Sequence, residues 1–221
     1  MNNKISPDKN LVNSKSGYSQ ESYKEDFDQL NIAFNRIIEL KESKIFSNLE
    51  KNEKEIIENY VNSYKKKVEN IKFDKEDFFL TGQDILKISK IDNDDLLRFL
   101  LYRYKYSIYP KLFKIDKYPP NIQIEPTSIC NFRCVMCYQA DKSFSSKSNG
   151  FMGHMDLELY KKIIDEIEGN IEAVTLASRG EPTLNPRIIE MVQYSKDKFL
   201  GFKINTNASM LNENLIKNLL D

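Results

Sequence analysis

The chain has 221 residues, of which 40% are hydrophobic and 30% are charged, and its 33 lysines and arginines balance its 33 aspartates and glutamates. This composition is typical of a globular protein, and a net charge near zero gives no overall attraction to nucleic acid or to anionic lipid. The sequence shows no apolar run long enough to cross a bilayer, and its N-terminus lacks the apolar core of a signal peptide. We therefore expect a cytoplasmic protein with no membrane partner.

The first half of the chain predicts helices. Residues 1–18 are polar and without periodicity, which predicts a disordered tail. Residues 19–117 carry apolar side chains at helical spacing and predict a small all-helical region, whose role the sequence does not reveal. The start signals are Ser22 with Glu25 and Ser47 with Glu50, and a third apolar segment runs from Leu96 to Tyr109.

The pattern changes at Tyr118-Pro119-Pro120, where two prolines stop any helix and predict an extended linker. Three apolar stretches of strand length follow, at residues 122–126, 171–177 and 200–206. The second is almost continuously apolar, which is typical of a strand covered on both faces. Helical patterns begin at Asp156, at Asn185 with Pro186, and at Asn212. Strands that alternate with helices predict an α/β fold with a parallel sheet or βα-barrel.

Polar motifs come directly after each predicted strand. They are the segment from Cys130 to Tyr138, the segment from Ser178 to Pro182, and Asn205-Thr206-Asn207. In a parallel barrel these segments all lie at the face formed by the carboxyl ends of the strands, where such folds place their active sites. The sequence therefore predicts one site built from three distant segments.

The cysteines are the most informative residues. All three, Cys130, Cys134 and Cys137, lie within eight positions, and an odd number at this spacing does not suit a disulfide framework. The C-x3-C-x2-C motif places three thiolates on one loop. Because a cubane iron–sulfur cluster normally takes four cysteine ligands, three would leave one iron open to a cofactor or substrate.

Zinc is the alternative. A structural zinc site needs four protein ligands, and His154, the only histidine, would have to complete a set of three cysteines and one histidine. A polar insertion at residues 141–150 separates it from Cys137, so this closure is not forced, and we favour the cluster. His154 lies just before a helix start, and we expect it to be a surface or capping residue.

The cysteine motif after the first strand, the following Tyr138 and the Gly180-Glu181-Pro182 sequence after the second strand resemble the radical S-adenosylmethionine (SAM) superfamily. The resemblance covers residues 118–221, and the string from Ile124 to Tyr138 is especially similar to the branch that includes SPASM-domain peptide-modifying enzymes and molybdenum-cofactor cyclases. It implies a partial (β/α)6 radical SAM barrel, with about three βα units, preceded by the helical region.

The resemblance also implies a chemistry. Cys130, Cys134 and Cys137 would hold a [4Fe–4S] cluster whose open iron chelates the amino and carboxylate groups of SAM. An electron from a donor such as flavodoxin or ferredoxin would then cleave the sulfonium bond, and the resulting 5′-deoxyadenosyl radical would act on an unidentified substrate, such as a peptide or a small metabolite.

The remaining cofactor-binding residues implied by the resemblance are Met136, Tyr138, Gly180, Glu181 and Asn205. Met136 would meet the adenine, and Gly180 and Glu181 would receive the methionine amino group; no residue is assigned to catalysis itself. Arg179 departs from the family pattern because it replaces the first of two usual glycines. It is open whether Arg179 reaches a substrate anion or the protein surface, and whether Asn205 and Asn207 line the site or shape a turn.

A radical SAM core has about six strand–helix units, so three units lead us to expect a truncated core that is inactive alone. The alternative is a non-catalytic metal-binding or scaffold module, with a three-cysteine site and a helical region that binds a partner. RNA modification would require a basic surface around the site, which the balanced charge disfavours.

Overall fold

The computed structural model describes residues 27–69 and 71–220. The predicted tail at residues 1–18 and the start signal at Ser22 and Glu25 lie outside these residues. The first part of the described chain is helical, as predicted. Its helices are α1 (Phe27–Glu42), α2 (Lys44–Ser47), α3 (Lys51–Val68), α4 (Gly82–Ile88) and α5 (Asn93–Leu112).

Helix α3 begins later than the sequence predicted. Ser47 is the last residue of α2, which Ser43 caps, so Ser47 is already helical and does not act as an N-cap for the next helix. Glu50 is the N-cap of α3 instead, and its N–H donates to the Glu53 carboxylate at 3.0 Å.

The sequence analysis also missed α4. This helix has a capping box in which Thr81 Oγ1 accepts from Asp84 N–H, and Thr81 N–H donates to Asp84 Oδ2 at 2.9 Å. An aspartate in place of the usual glutamate or glutamine, and a length of only 7 residues, made its pattern harder to detect.

The helices of this region enclose one hydrophobic core. Its buried residues come from all the helices but the short α2, together with Phe78 from the segment before α4. Because each helix buries one apolar face against the others, the region has a core of its own and does not depend on the sheet for its interior.

The second part of the chain is an α/β unit, as predicted. Its strands are β1 (Asn121–Ile124), β2 (Ala173–Leu176) and β3 (Gly201–Ile204), and its helices are α6 (Lys142–Ser145), α7 (Leu157–Ile167), α8 (Ile188–Tyr194) and α9 (Glu213–Leu220). The strands form a parallel sheet in the order β1-β2-β3. This is the partial βα arrangement that the resemblance implied.

One face of the sheet is packed more tightly than the other. Val174 and Leu176 of β2 are buried in a cluster with residues of α7 and α8, whereas Ala173 and Thr175, which point to the other face, are half-buried. The apolar run at residues 171–177 predicted that both faces of this strand are covered. Among the described residues, helices pack on only one face of the sheet.

Helix α8 starts two residues after the predicted signal. Its N-cap is Arg187, and Asn185 is buried two residues earlier, where its Oδ1 accepts from Arg187 N–H at 2.8 Å. Its Nδ2 donates to the carbonyl oxygens of Pro126, at 2.7 Å, and Met155, at 3.2 Å. Asn185 therefore joins the start of this helix to the segments that follow β1 and precede α7.

The helical region contacts the amino-terminal edge of the sheet. Arg98 of α5 donates to Glu172, the residue before β2, with 2.6 Å between Nη2 and Oε2. Lys87 of α4 donates to the carbonyl oxygen of Leu200, the residue before β3. The helices thus lie at the end of the strands opposite to the cysteine motif. None of the helices within the described ranges has the length and apolar character needed to cross a membrane.

Candidate metal and cofactor site

The carboxyl ends of the three strands meet at one edge of the sheet. Ile124, Leu176 and Ile204 are paired in register at the ends of β1, β2 and β3, so the segments after them leave the sheet side by side. We call them loop 1 (residues 125–140), loop 2 (residues 177–185) and loop 3 (residues 205–212). Loop 1 holds the cysteines, loop 2 the Gly-Glu-Pro sequence and loop 3 the Asn-Thr-Asn sequence, so three distant motifs lie together.

The three cysteines are free thiols on loop 1. Cys130 and Cys137 are half-buried and Cys134 is exposed. A turn links the last two, since Cys137 N–H donates to the Cys134 carbonyl at 2.9 Å. Between them, Val135 and Met136 expose 95% and 84% of their surface, and Tyr138 exposes 45%. Apolar side chains this exposed around thiols are available to contact a bound group.

The donor set fits an iron–sulfur cluster in its chemistry. Three thiols on one accessible loop are the ligands that iron–sulfur clusters take, and they lie at the edge of the sheet where the other motifs converge. Within residues 27–69 and 71–220, no three His, Cys, Asp or Glu side chains are gathered closely enough to enclose a metal ion. The ligands therefore share one loop, and their sulfur atoms would have to draw together to hold a cluster.

His154 is exposed and forms an isolated antiparallel bridge with Thr127 of loop 1. Asp156, not His154, caps α7, with Oδ1 accepting from Glu158 N–H at 2.9 Å. The expectation of a surface position is met, and the capping role belongs to the neighbouring aspartate because its short carboxylate reaches the free N–H groups of the first turn.

Gly180 packs against loop 1. A Cβ atom at this position would lie 1.9 Å from the Thr127 carbonyl oxygen and 2.8 Å from that of Ile129. Both are backbone atoms, so a side chain would push the two loops apart. The resemblance implies that Gly180 helps to receive the methionine amino group; the structure adds that a glycine is needed for the Gly-Glu-Pro sequence to lie against the cysteine loop.

Glu181 is 2% exposed and joins all three loops. Its N–H donates to the Ile129 carbonyl at 2.9 Å. Its Oε1 accepts from Thr183 Oγ1 at 2.5 Å and from Thr206 Oγ1 at 2.6 Å, and its Oε2 accepts from Asn207 N–H at 2.6 Å. The carboxylate therefore connects loop 2 to loop 3 while the backbone of the same residue connects loop 2 to loop 1.

These contacts keep Glu181 ionised. Burial alone would raise the pKa of this carboxyl, but the hydrogen bonds from Asn207 N–H, Thr183 and Thr206 outweigh it and lower the pKa below its usual value. Both carboxylate oxygens are engaged by donors of the chain itself, and the contact of Glu181 to an amino group stays a prediction.

Arg179 is held by Glu125 of loop 1. Its Nη2 lies 2.7 Å from Oε1, its Nε lies 3.0 Å from Oε2, and its own N–H donates to Oε2 at 2.9 Å. Burial would raise the pKa of Glu125, but the hydrogen bonds from Arg179 and Ser178 lower it. In this structure Arg179 therefore pairs with a carboxylate of the chain itself. Sequence analysis did not single out Glu125, although a carboxylate at a strand end was a usable signal.

Ser178, the residue before Arg179, has a φ of +132°, which residues other than glycine rarely adopt. Backbone strain of this kind collects at functional sites and persists only where surrounding contacts fix it. Here the pairing of Arg179 and Ser178 with Glu125 supplies those contacts.

Gln139 is a second residue that sequence analysis missed. It is 2% exposed, and its Nε2 donates to the carbonyl oxygens of Ser128, at 2.6 Å, and Arg179, at 2.9 Å. It therefore holds the segment after the third cysteine against loops 1 and 2. No pattern marks such a residue, because its partners are backbone atoms distant in sequence.

Loop 3 reaches the cysteine loop through Asn207. Its Nδ2 donates to Asn131 Oδ1 at 2.9 Å and lies 4.0 Å from Cys130 Sγ. Its Oδ1 accepts from Ser209 N–H at 2.9 Å, which shapes the turn. Asn207 therefore both shapes the turn and lines the site, whereas Asn205 is exposed at the end of β3.

Comparisons with known proteins agree with this geometry. Residues 124–221 match the model of the radical SAM superfamily. A Pyrococcus furiosus tungsten-containing aldehyde ferredoxin oxidoreductase cofactor-modifying protein is 31% identical over 102 residues, which are 45% of this chain and 27% of that protein. The AdoMet-dependent heme synthase of Methanosarcina barkeri is 30% identical over 101 residues, 46% of this chain and 28% of its own.

A solved structure, BtrN in complex with AdoMet and 2-DOIA, covers 48% of this chain and 43% of its own at 24% identity and a TM-score of 0.40, a likeness too distant to carry an argument. The chain spans less than a third of the length of the two curated relatives above. Loops 1, 2 and 3 fall within residues 124–221, the part of the chain that matches the radical SAM superfamily model.

Proposed function

We propose that this chain is part of an enzyme that binds a [4Fe–4S] cluster through Cys130, Cys134 and Cys137 and uses it together with SAM. The observation that carries the proposal is the direct packing of loop 2 on loop 1: Glu181 N–H donates to the Ile129 carbonyl at 2.9 Å, one residue before the first cysteine. The segment expected to bind the methionine part of SAM thus adjoins the segment expected to bind iron.

When bound, the cluster and SAM would supply a 5′-deoxyadenosyl radical through reductive cleavage of the sulfonium bond. The residues of this chain would bind and orient the two groups. The exposed Met136 and Tyr138 offer apolar surface to the adenine, and the ionised Glu181 offers negative charge to the amino group. Asn205, which is exposed at the end of β3, would be a further SAM-binding residue.

The substrate is a further part of the proposal. The names of the relatives mention cofactor modification and heme synthesis, which supports a small metabolite; a peptide is the alternative substrate class. We also propose a flavodoxin or ferredoxin as the electron donor and a cytoplasmic location, since three free thiols stay reduced most readily in a reducing compartment.

Anaerobic reconstitution with iron and sulfide tests the proposal. We expect a brown protein with about four irons per chain, and loss of that iron in Cys130→Ser, Cys134→Ser and Cys137→Ser. His154→Ala is the matched control, because His154 is exposed and outside the proposed ligand set. A colourless protein that holds one zinc, and loses it in His154→Ala, would contradict the proposal in favour of a structural metal module.

A further inference from the structure

We infer that Asn207 is a positioning residue whose side-chain amide donates a hydrogen bond to the sulfur of Cys130 and thereby raises the reduction potential of the bound cluster. The inference rests on the proposed function and adds to it a residue from loop 3. The sequence pattern assigned Asn207 no role toward the metal.

The orientation of the Asn207 amide is fixed by its oxygen. Oδ1 accepts from the N–H of Ser209 at 2.9 Å and from its Oγ at 2.7 Å. An oxygen is required opposite these two donors, so the other end of the amide must be nitrogen. That nitrogen has two hydrogens. It donates one to Asn131 Oδ1, with 2.9 Å between N and O, and it lies 4.0 Å from Cys130 Sγ, to which it can donate the other.

Both sides of this contact are anchored. The backbone N–H of Asn207 donates to the buried Glu181 carboxylate at 2.6 Å, which fixes loop 3 to loop 2. Asn131, the residue after Cys130, donates to Ser209 Oγ at 2.7 Å. This is a second side-chain hydrogen bond between loop 1 and loop 3. The amide therefore cannot turn away from the sulfur without breaking its hydrogen bond to Asn131 and the two that it accepts from Ser209.

The effect on the cluster follows from charge. Cys130 Sγ already accepts from Phe132 N–H at 3.4 Å, and Asn207 adds a donor from a different loop. A thiolate ligand accepts hydrogen bonds more strongly than a thiol does, so the long contact should shorten when the sulfur binds iron. The reduced cluster carries one more negative charge than the oxidised cluster, and a donor therefore stabilises the reduced form more.

The test is an EPR-monitored redox titration of the reconstituted chain, with iron content measured on the same samples. Asn207→Leu removes the donor, and Asn207→Asp keeps the shape while it replaces the donor with a charged oxygen. We expect both variants to have lower midpoint potentials, with a change of about tenfold in the reduction equilibrium for Asn207→Leu, or about 59 mV for one electron. Asn170→Leu, an exposed asparagine at the other end of the sheet, is the control and should leave the potential unchanged.

The outcomes separate this inference from the proposed function. A wild-type chain that takes up no iron contradicts the function itself. A wild-type cluster whose potential is the same in Asn207→Leu overturns the inference alone. If Asn207→Leu fails to fold or to bind iron, Asn207→Asp decides, because a potential equal to or above the wild-type value in that near-isosteric variant also overturns it.

Discussion

Glu181 shows how one residue can stabilise a site before any cofactor is bound. Its charge is buried and accepts hydrogen bonds from neutral groups: the hydroxyls of Thr183 and Thr206 and the N–H of Asn207. These donors come from loops 2 and 3. Neutralising the carboxylate should therefore remove the negative charge and also weaken the contact between the two loops.

Comparing Glu181→Gln with the wild-type chain at different pH values tests this role of the ionised carboxylate. A carboxyl whose pKa is lowered on folding adds stability above its unfolded pKa of about 4.3, and that stability is lost as the pH falls through the lower folded pKa. At pH 7 we expect the variant to be less stable by about 1–3 kcal/mol, since an amide nitrogen would face a donor. The difference from wild type should shrink below about pH 4.

Urea unfolding at pH 7 and at pH 3 measures this difference. If the gap between Glu181→Gln and the wild-type chain is the same at both pH values, the ionised carboxylate is not the source of the stability.

At the scale of the secondary-structure elements, the contact that shapes the site is the one between loops 1 and 2, made by residues outside the helices and strands. Loops 1 and 2 come from neighbouring strands, and the missing Cβ of Gly180 lets their backbones touch. The side chains of Gln139, Glu125 and Arg179 then hold the same two loops from either side. The geometry of the candidate site therefore depends on the packing of backbone against backbone.

Gly180→Ala should separate these loops. The added methyl group would meet backbone atoms at 1.9 Å and 2.8 Å, and overpacking of this kind costs about 1–3 kcal/mol. Gly153→Ala is a matched control, because a Cβ at Gly153 has no atom within 4 Å. We expect Gly180→Ala alone to lower both the free energy of unfolding and the iron content after reconstitution. Equal behaviour of the two alanine variants would show that the loops can adjust without cost.

At the scale of the whole molecule, the helical region and the candidate site lie at opposite ends of the strands. Leu200, the residue before β3, packs against the helical core, while loops 1 to 3 leave the other edge. Two cations of α5 have partners within the chain: Arg98 pairs with Glu172, and Lys105 pairs with Asp116 at 2.7 Å. The helices therefore lie at the amino-terminal edge of the sheet, away from the cysteines.

The Arg98–Glu172 pair offers a test of that arrangement. A double-mutant cycle with Arg98→Ala and Glu172→Ala should give a coupling energy of about 0.2–1 kcal/mol, since the pair is partly exposed. The coupling should decrease in 1 M salt, where the Debye length is about 3 Å. Zero coupling at low salt would mean that this contact does not hold the helices to the sheet.

The sequence by itself determined the fold class, the alternation of strands and longer helices after residue 120 and the loop that carries the thiols, because these depend on local periodicity and on the spacing of three cysteines. It placed the motifs of loops 1, 2 and 3 at one edge by the rule that parallel strands end together, and the register of Ile124, Leu176 and Ile204 confirms this. Helix starts were less accurate. Ser47 lies inside the short helix that precedes α3, and the Asn185 side chain accepts a hydrogen bond in the turn before α8.

Only the tertiary structure decided what the polar residues around the thiols contact. Arg179 faces Glu125, Gln139 binds the backbone of two loops, and Asn207 turns toward Cys130. The physical reason is that these partners lie between 11 and 77 positions apart in the sequence and meet through hydrogen bonds of irregular loops, which leave no periodic pattern. Local pattern specified the strands, and long-range hydrogen bonding specified the site.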